Sequence, residues 1–131
     1  MTKEKSLIKI EEYRQIIEKR IPYLKVKGVS MSFESYVRVE NNEISWSRIK
    51  YELDVVNFNY VIFSFIIWDY IKNPNEVSTP DIIFEYKKDW SNTKKMLIFG
   101  KMNNDKNNNT KSIDEQLEII NEIIIKRKLL K

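Results

Sequence analysis

Residues 55–71 read VVNFNYVIFSFIIWDYI and form the most apolar run of the sequence, which the other segments cover or continue. Thirteen of its seventeen residues are β-branched or aromatic. Such side chains lose χ1 freedom in a helix and pack well on a pleated strand. We therefore predict a long central strand that is covered on both faces. A fully buried core helix ending at Asn73-Pro74 is the alternative, because a run that is apolar on every face has no diagnostic periodicity.

The same run does not have the composition of a membrane span. A span requires about 20 predominantly apolar residues. This run is shorter and contains the polar side chains of Asn57, Asn59, Ser64 and Asp69. Burying such groups in lipid without partners costs several kcal/mol each. The start of the chain, MTKEKSLIKIEEYRQ, is charged and lacks the apolar core of a signal peptide. We expect a cytoplasmic protein with no membrane contact.

The composition excludes several kinds of chemistry. Histidine and cysteine are both absent from the 131 residues. Their absence removes imidazole bases, thiol nucleophiles and Ser-His or Cys-His triads, and it argues against a structural zinc site. Gly28 and Gly100 are the only glycines, too few for a glycine-rich phosphate cradle. We expect one domain over residues 1–131, with no cofactor, no metal site and no catalytic residue.

The net charge is +4 and the isoelectric point is near 9.1. A basic total suggests nucleic-acid binding. However, alanine is absent while isoleucine, lysine and asparagine are abundant. This bias is typical of AT-rich coding sequence, which raises the lysine content without selection for binding. The charge total is therefore weak support for a nucleic-acid partner.

A helix is predicted at the start of the chain. Apolar side chains recur at three- and four-residue spacing through residues 3–21. Pro22 should end the helix, because the residue before a proline is pushed out of the helical region. The predicted buried stripe consists of Ile10, Tyr13, Ile17 and Ile21, widened by Leu7 and Ile16.

A second helix is predicted at the end of the chain. Ser112 and Glu115 have the spacing of a capping box, in which each satisfies the other's end of the first turn. The basic residues Lys126, Arg127 and Lys128 come late in this helix, where the helix dipole favours cations. Its predicted buried stripe consists of Ile113, Leu117, Ile120 and Ile124.

Strands fill the middle of the chain. Gly28 opens an alternating strand that continues to residue 40, and Asn41-Asn42 makes a hairpin turn. The next strand spans residues 43–54, with a phase slip near Ser47-Arg48 that suggests a β-bulge or a strand that passes from one environment to another. After the central run, further strands are predicted at residues 81–90 and 95–102. Residues 103–111 have no apolar side chain and are expected to form a flexible Asn-rich loop.

The predicted fold class is α+β. An N-terminal helix precedes about five strands in an antiparallel meander, because consecutive strands joined by short turns pair with one another. The C-terminal helix packs on this sheet, and both amphipathic helices are expected on one face.

A magnesium-dependent nuclease is one functional hypothesis. The apolar strand that ends in Glu85-Tyr86-Lys87 resembles the metal-binding strand of restriction-like nucleases. The resemblance implies that Glu85 and an upstream aspartate, here Asp54, hold magnesium while Lys87 helps position the attacking water. Glu11 or Glu12 would supply the helix acid. Oxygen ligands suit Mg²⁺, and metal-activated water needs no histidine.

The fit to that family is poor in this sequence. Asp81 lies on the same predicted strand as Glu85, roughly 13 Å away at the rise of a strand, which is too far to share one ion. Another strand is predicted to follow, where the family has a helix. The alternative is that Glu85 and its neighbours are exposed strand residues in cross-strand pairs. We rank the nuclease hypothesis third.

A basic aromatic face is a second hypothesis. Lysines alternate with aromatic side chains on the last two predicted strands, an arrangement that can stack bases and hold phosphates. Aromatic side chains on strands are more often core, so this nucleic-acid-binding function is the alternative to the one we favour. Its predicted residues are Tyr86, Lys88, Trp90, Lys94 and Lys95.

The aromatic interior has two interpretations that the sequence does not separate. A curved sheet closed by a helix can enclose a ligand cavity, and a packed core needs the same side chains. The aromatic set includes Phe33, Trp46, Tyr51, Phe58, Tyr60, Phe63, Phe65, Trp68, Phe84 and Phe99.

An acidic hairpin supports the hypothesis that we favour. Residues 28–54 contain three basic and five acidic side chains, against the basic total of the chain. Such a surface suits a basic protein partner, because complementary charge speeds association. Small cytoplasmic proteins from AT-rich bacterial or phage genes are often immunity proteins. We therefore predict a non-enzymatic immunity-type inhibitor that neutralises a toxin or nuclease by protein contact. Its predicted partner-binding residues are Glu34, Glu40, Glu43, Glu52 and Asp54.

Overall fold

The computed structural model describes residues 3–32, 46–56, 58–68, 79–88, 90–99 and 112–129. The described chain starts with helix α1 and ends with helix α2, and five strands lie between them. The elements are α1 (Lys3–Arg20), β1 (Leu24–Ser32), β2 (Trp46–Leu53), β3 (Tyr60–Trp68), β4 (Asp81–Lys87), β5 (Lys94–Phe99) and α2 (Ile113–Lys126). Each strand pairs antiparallel with the next along the chain, in the order β1-β2-β3-β4-β5. The predicted α+β class and the antiparallel meander are confirmed.

The predicted central strand is β3, at the middle of the sheet. Val61, Phe63 and Phe65 on one face are fully buried, and Ile62 and Ser64 on the other are each 6% exposed. The strand is therefore covered on both faces, as its composition predicted, and the helix alternative is wrong. Strand β3 is shorter than the apolar run of residues 55–71, since it begins only at Tyr60.

The two faces of the sheet have different neighbours. Tyr51, Phe63 and Phe84 align across β2, β3 and β4 on what we call the inner face. This face shares one hydrophobic core with both helices, which contribute side chains such as Ile17 and Ile120. We call the opposite face, which includes Lys50, Ser64 and Ile83, the outer face.

Helix α1 contacts the core along a narrower stripe than predicted. Ile10, Ile17 and Ile21 are at most 4% exposed. Leu7 and Ile16, by contrast, are 46% and 37% exposed, so their assignment to the buried stripe was wrong. Successive residues of a helix are rotated by about 100° around its axis. Leu7 and Ile16 therefore lie on opposite sides of the buried stripe, outside the part of the helix surface that contacts the sheet. The helix ends at Arg20, just before Pro22, as predicted.

Helix α2 begins at the predicted cap. The backbone N–H of Glu115 donates to Ser112 Oγ at 3.2 Å. Two side-chain contacts connect the helix to the N-terminal part of the chain. Arg20 Nε lies 3.2 Å from Asp114 Oδ1, and the Tyr23 hydroxyl donates to Asn121 Oδ1.

The bulge predicted in β2 is in fact on β1. Along β2, buried and half-buried side chains alternate without interruption from Trp46 to Leu53. Ser47 lies on the inner face and is 1% exposed. Because its side chain is small and polar, a pattern based on apolar residues did not count it as buried, and the alternation of β2 was interpreted as interrupted there. The register shifts on β1 instead, between Val26 and Gly28. Gly28 therefore lies inside β1, so the prediction that the strand begins at Gly28 was also wrong.

Other strand predictions differ at their ends or fall outside the described residues. Strand β4 ends at Lys87, so Trp90 lies beyond the strand in which we had placed it. The turn at Asn41-Asn42 and the Asn-rich segment 103–111 both lie outside the described residues.

Replacement of Gly28 by alanine is expected to stabilise the fold. A Cβ atom at this position meets no atom within 4 Å, and the backbone does not have positive φ. The substitution should raise the free energy of unfolding by about 0.5–1 kcal/mol, because it restricts the unfolded chain. Urea denaturation of Gly28→Ala measures the change, and Phe63→Ala, expected to cost about 3–5 kcal/mol, is the reference for a core position. A loss of stability in Gly28→Ala would contradict this description of β1.

Candidate functional site

An open cleft lies at the end of the sheet where β2 finishes and β3 starts. Its volume is about 410 Å³. Glu52, near the end of β2, lies opposite Lys25 of β1, and Asp54 is exposed just beyond the strand. We call this the Glu52 cleft, lined by Lys25, Glu52, Leu53, Asp54, Val55, Phe58, Asn59 and Tyr60. Two of the predicted partner-binding acidic residues, Glu52 and Asp54, therefore line the same cleft.

The rest of the predicted acidic surface is not described. Glu34, Glu40 and Glu43 lie outside the described residues. Their part in a partner-binding surface stays a prediction.

An aromatic cluster adjoins this cleft through Phe58. The Phe58 ring meets Tyr86 edge-on, with centroids 5.8 Å apart. Tyr86 in turn lies 5.1 Å from Phe84, with an angle of 32° between the ring planes. Phe84 is fully buried, whereas Phe58 and Tyr86 are half-buried at the edge of the core. The three rings form a row from the core to the surface.

Cations lie over the three rings of this row. Lys88 Nζ lies 5.7 Å from the centre of the Phe58 ring. Arg127, the C-cap of α2, places its Cζ atom 5.5 Å from the centre of Phe84 and 5.9 Å from that of Tyr86. All three distances are within the range of cation–π attraction.

The strand register adds a third cation. Lys94 of β5 is the direct partner of Tyr86 on β4, so its side chain is on the inner face beside the rings. We call the whole group the Tyr86 cluster, consisting of Phe58, Phe84, Tyr86, Lys88, Lys94 and Arg127.

Two of the residues predicted with Tyr86 have other positions. Lys95 projects from the outer face, where its Nζ lies 3.5 Å from Glu85 Oε1. Adjacent residues of a strand point to opposite faces, so Lys94 and Lys95 cannot share one surface. Trp90 lies in the turn between β4 and β5 and is completely exposed. In the structure, Tyr86, Lys88 and Lys94 therefore lie in one region, and Trp90 lies in the adjoining turn. Lys95 is not part of this surface.

The cations of the Tyr86 cluster have no acidic neighbour in the described part of the chain. There, no carboxylate lies within 4.0 Å of Lys88, Lys94 or Arg127. Other cations are paired, as in the contacts of Arg20 with Asp114 and of Lys95 with Glu85. The positive charge around Tyr86 is therefore not neutralised by these contacts.

Sequence reasoning missed the parts played by Phe58 and Arg127. Phe58 belongs to the apolar run and was assigned to the interior. Arg127 was explained by the dipole of its helix. Neither residue is close in sequence to Tyr86, and only the packing of α2 on β4 brings Arg127 to the rings. The one available signal was the run of cations in the last turn of an amphipathic helix.

The residues that suggested a nuclease do not converge. Glu85 is half-buried on the outer face and paired with Lys95, and Asp81 is 5% exposed. Asp54 instead lines the Glu52 cleft, beyond the end of β2. Among the described residues, no three acidic side chains are grouped so that they could hold a metal ion.

The deepest aromatic side chains pack against each other. Tyr51, Phe63, Phe65 and Phe84 are at most 1% exposed. Tyr51 meets Phe65 edge-on at 5.5 Å, and Phe63 stacks on Phe84 at 5.0 Å. These contacts are those of a packed core.

A second open cleft of about 350 Å³ lies between the helices, lined by Lys9, Glu12, Tyr13, Ile16, Thr79, Ser112 and Ile113.

The hydroxyl group of Tyr51 is buried where α1 packs on β2. The Tyr51 side chain is fully buried, and its hydroxyl has no hydrogen-bond partner among the described residues. Burial raises the pKa of Tyr51 well above its ordinary value and the Glu18 carboxylate raises it further, while the nearby Arg14 guanidinium opposes this rise. Arg14 lies 3.3 Å from Glu18 and 3.9 Å from Glu11, and the hydrogen bond to Glu18 raises the pKa of Arg14. Because Tyr51 is inaccessible, we assign this group to the packing of α1 on the sheet.

No match to this chain was found among known protein families, curated proteins or solved structures. No helix within the described ranges is both long and apolar enough to cross a membrane. Functional proposals therefore depend on the geometry of this chain.

Tyr51→Phe tests the assignment of the buried hydroxyl. At neutral pH the variant should be as stable as the parent, or more stable by up to about 1 kcal/mol, because an unpaired buried polar group is removed. Above about pH 10 the unfolded parent ionises at Tyr51 while the folded protein does not, so the parent loses stability as pH rises. The variant lacks this loss.

Urea denaturation of both proteins across this alkaline range measures the effect. The stability difference in favour of Tyr51→Phe should widen with pH. Tyr23, whose pKa burial also raises, is present in both proteins and cancels in the comparison. Parallel stability curves would show that the folded protein does not raise the pKa of Tyr51.

Proposed function

We propose that this chain is a non-enzymatic binding domain that recognises a protein partner through one end of its sheet. The sheet-end surface comprises the Glu52 cleft, the Tyr86 cluster and Trp90. The complete exposure of Trp90 carries the proposal. An exposed indole gains most from burial in a partner, and tryptophan is enriched among the residues that dominate binding energy.

The charges of this surface favour a protein over a nucleic acid. Glu52 and Asp54 line the same cleft as Phe58, and Lys88 Nζ lies over the Phe58 ring. A phosphodiester strand along this surface would meet the two carboxylates as well as the cations. A protein can present complementary charges of both signs, which improves specificity and speeds association.

The specific form that we propose is an immunity-type inhibitor of a toxin or nuclease. Glu52 and Asp54 would attract a basic patch of the partner, and the cleft between them and Phe58 would receive one of its side chains. The absence of histidine and cysteine from the sequence supports a role that depends on contact and not on catalysis.

Charge reversal at the cleft is expected to slow binding. The partner is first isolated by purification of the tagged chain from its native cell and identified by mass spectrometry. Glu52→Lys/Asp54→Lys should then lower the association rate constant by at least about tenfold at low ionic strength, because steering attraction becomes repulsion. Glu4→Lys/Glu122→Lys, which reverses two exposed carboxylates elsewhere, is the matched control. Equal effects of both pairs would exclude the cleft.

Trp90→Ala tests the contribution of the indole to the same complex. Loss of a central anchor should raise the dissociation rate and weaken binding by about 2 kcal/mol or more. The folded domain should be unaffected, because Trp90 is completely exposed. Unchanged dissociation would place the interface elsewhere on the domain.

Nucleic-acid binding is the second candidate, and it is favoured by the cations around Tyr86, which have no carboxylate partner within the described ranges. The purification distinguishes the two functions. Recovery of one stoichiometric protein that survives moderate salt supports the inhibitor. Recovery of nucleic acid alone, lost steeply as salt rises, contradicts it and is the signature of phosphate contacts.

A further inference from the structure

We propose that the Tyr86 cluster binds carboxylate side chains of an acidic segment in the partner protein. Three cations from different parts of the fold surround Tyr86: Arg127 lies over its ring, Lys88 over the neighbouring Phe58 ring, and Lys94 is its partner on β5. Lys88 follows β4, Lys94 is on β5 and Arg127 caps α2. This inference rests on the proposed function and adds the chemistry of the partner, which would carry an acidic segment beside the basic patch that meets Glu52 and Asp54.

Arg127 is oriented for this role. Its guanidinium lies over two rings, Phe84 and Tyr86. A guanidinium attracted to ring faces through its charge still has N–H donors that can bind a carboxylate through two parallel hydrogen bonds. Because the ring contacts already restrict this side chain, less conformational entropy is lost on binding.

The two lysines extend the positive surface to both sides of Tyr86. Lys94 lies directly across the β4–β5 pair, so its Cβ atom should be about 5 Å from that of Tyr86. Lys88 follows Tyr86 by two residues and reaches over Phe58. Both side chains are exposed, and within the described residues neither has a carboxylate neighbour.

The covered rings argue against base stacking. A nucleobase needs a free aromatic face. Here Arg127 lies over Phe84 and Tyr86, and Lys88 lies over Phe58. What this cluster offers is cationic donors backed by rings, which suits anionic side chains. The neighbouring Glu52 and Asp54 would also repel a continuous phosphodiester strand, whereas an acidic protein segment can end before it reaches them.

Two labelled probes of equal length test the inference at low salt: an oligoglutamate peptide and a single-stranded oligothymidylate. Fluorescence anisotropy should show that the full chain binds the peptide more tightly than the oligonucleotide. Lys88→Glu/Lys94→Glu should weaken peptide binding at least tenfold. Lys19→Glu/Lys27→Glu, which makes the same charge change at exposed lysines elsewhere, should have a much smaller effect.

Arg127→Lys separates hydrogen-bond geometry from charge. The variant keeps the positive charge but loses the planar fork, so peptide binding should weaken severalfold. Circular dichroism verifies that each variant is folded. Absence of peptide binding, equal loss in the two lysine pairs or tighter binding of the oligonucleotide would each overturn the inference.

The same variants distinguish failure here from failure of the proposed function. If the purified protein partner is lost with Glu52→Lys/Asp54→Lys but retained with Lys88→Glu/Lys94→Glu, the inhibitor proposal stands and the acidic segment is rejected. If no protein partner is recovered while the peptide still binds through Lys88 and Lys94, the site for carboxylates stands without the inhibitor.

Discussion

Burial of β3 on both faces is the constraint on which the rest of this structure depends. Val61, Phe63 and Phe65 are fully buried, so the backbone groups between them cannot be satisfied by water. Strands β2 and β4 supply the hydrogen bonds on either side, in one register that aligns Tyr51, Phe63 and Phe84. A slip of one residue would move the aromatic set to the outer face and expose it. The apolar run therefore specifies both its neighbours and their alignment.

The same register determines which charges meet at the end of the sheet. Across the outer face, Lys25, Glu52, Ile62, Glu85 and Lys95 occupy one continuous row, with carboxylates beside lysines. One position further along β4 and β5, Tyr86 and Lys94 are partners on the inner face, where the described residues offer Lys94 no carboxylate. In the part of the chain that the structure describes, a lysine paired with a carboxylate and one without such a partner thus differ by a single position in a strand. Strand alternation, and not local composition, separates a neutralised surface from a cationic one.

Periodicity made the elements predictable, whereas contacts between distant elements did not follow from it. The strand assignment of the central run and most positions of the predicted helix stripes depend on local spacing, and the structure confirms these, whereas Leu7 and Ile16 are exposed. The register of β2 was misread at Ser47 because a small buried hydroxyl has no apolar signature. At the candidate site, Tyr86 and Lys88 could be identified from alternation alone. Phe58 and Arg127 could not, because their roles arise where a loop and a helix end meet β4.

The basic total of the chain is a poor guide to what a partner meets. Much of the lysine excess follows from composition, and contacts such as Lys95 with Glu85 cancel part of it locally. What remains at the sheet end is a boundary at Phe58, which lines the cleft of Glu52 and Asp54 and also has Lys88 over its ring. Coulomb attraction between exposed groups is screened beyond about 8–10 Å at physiological salt. A docking protein therefore responds to this boundary more than to the net charge, so a basic chain can still bind a basic partner.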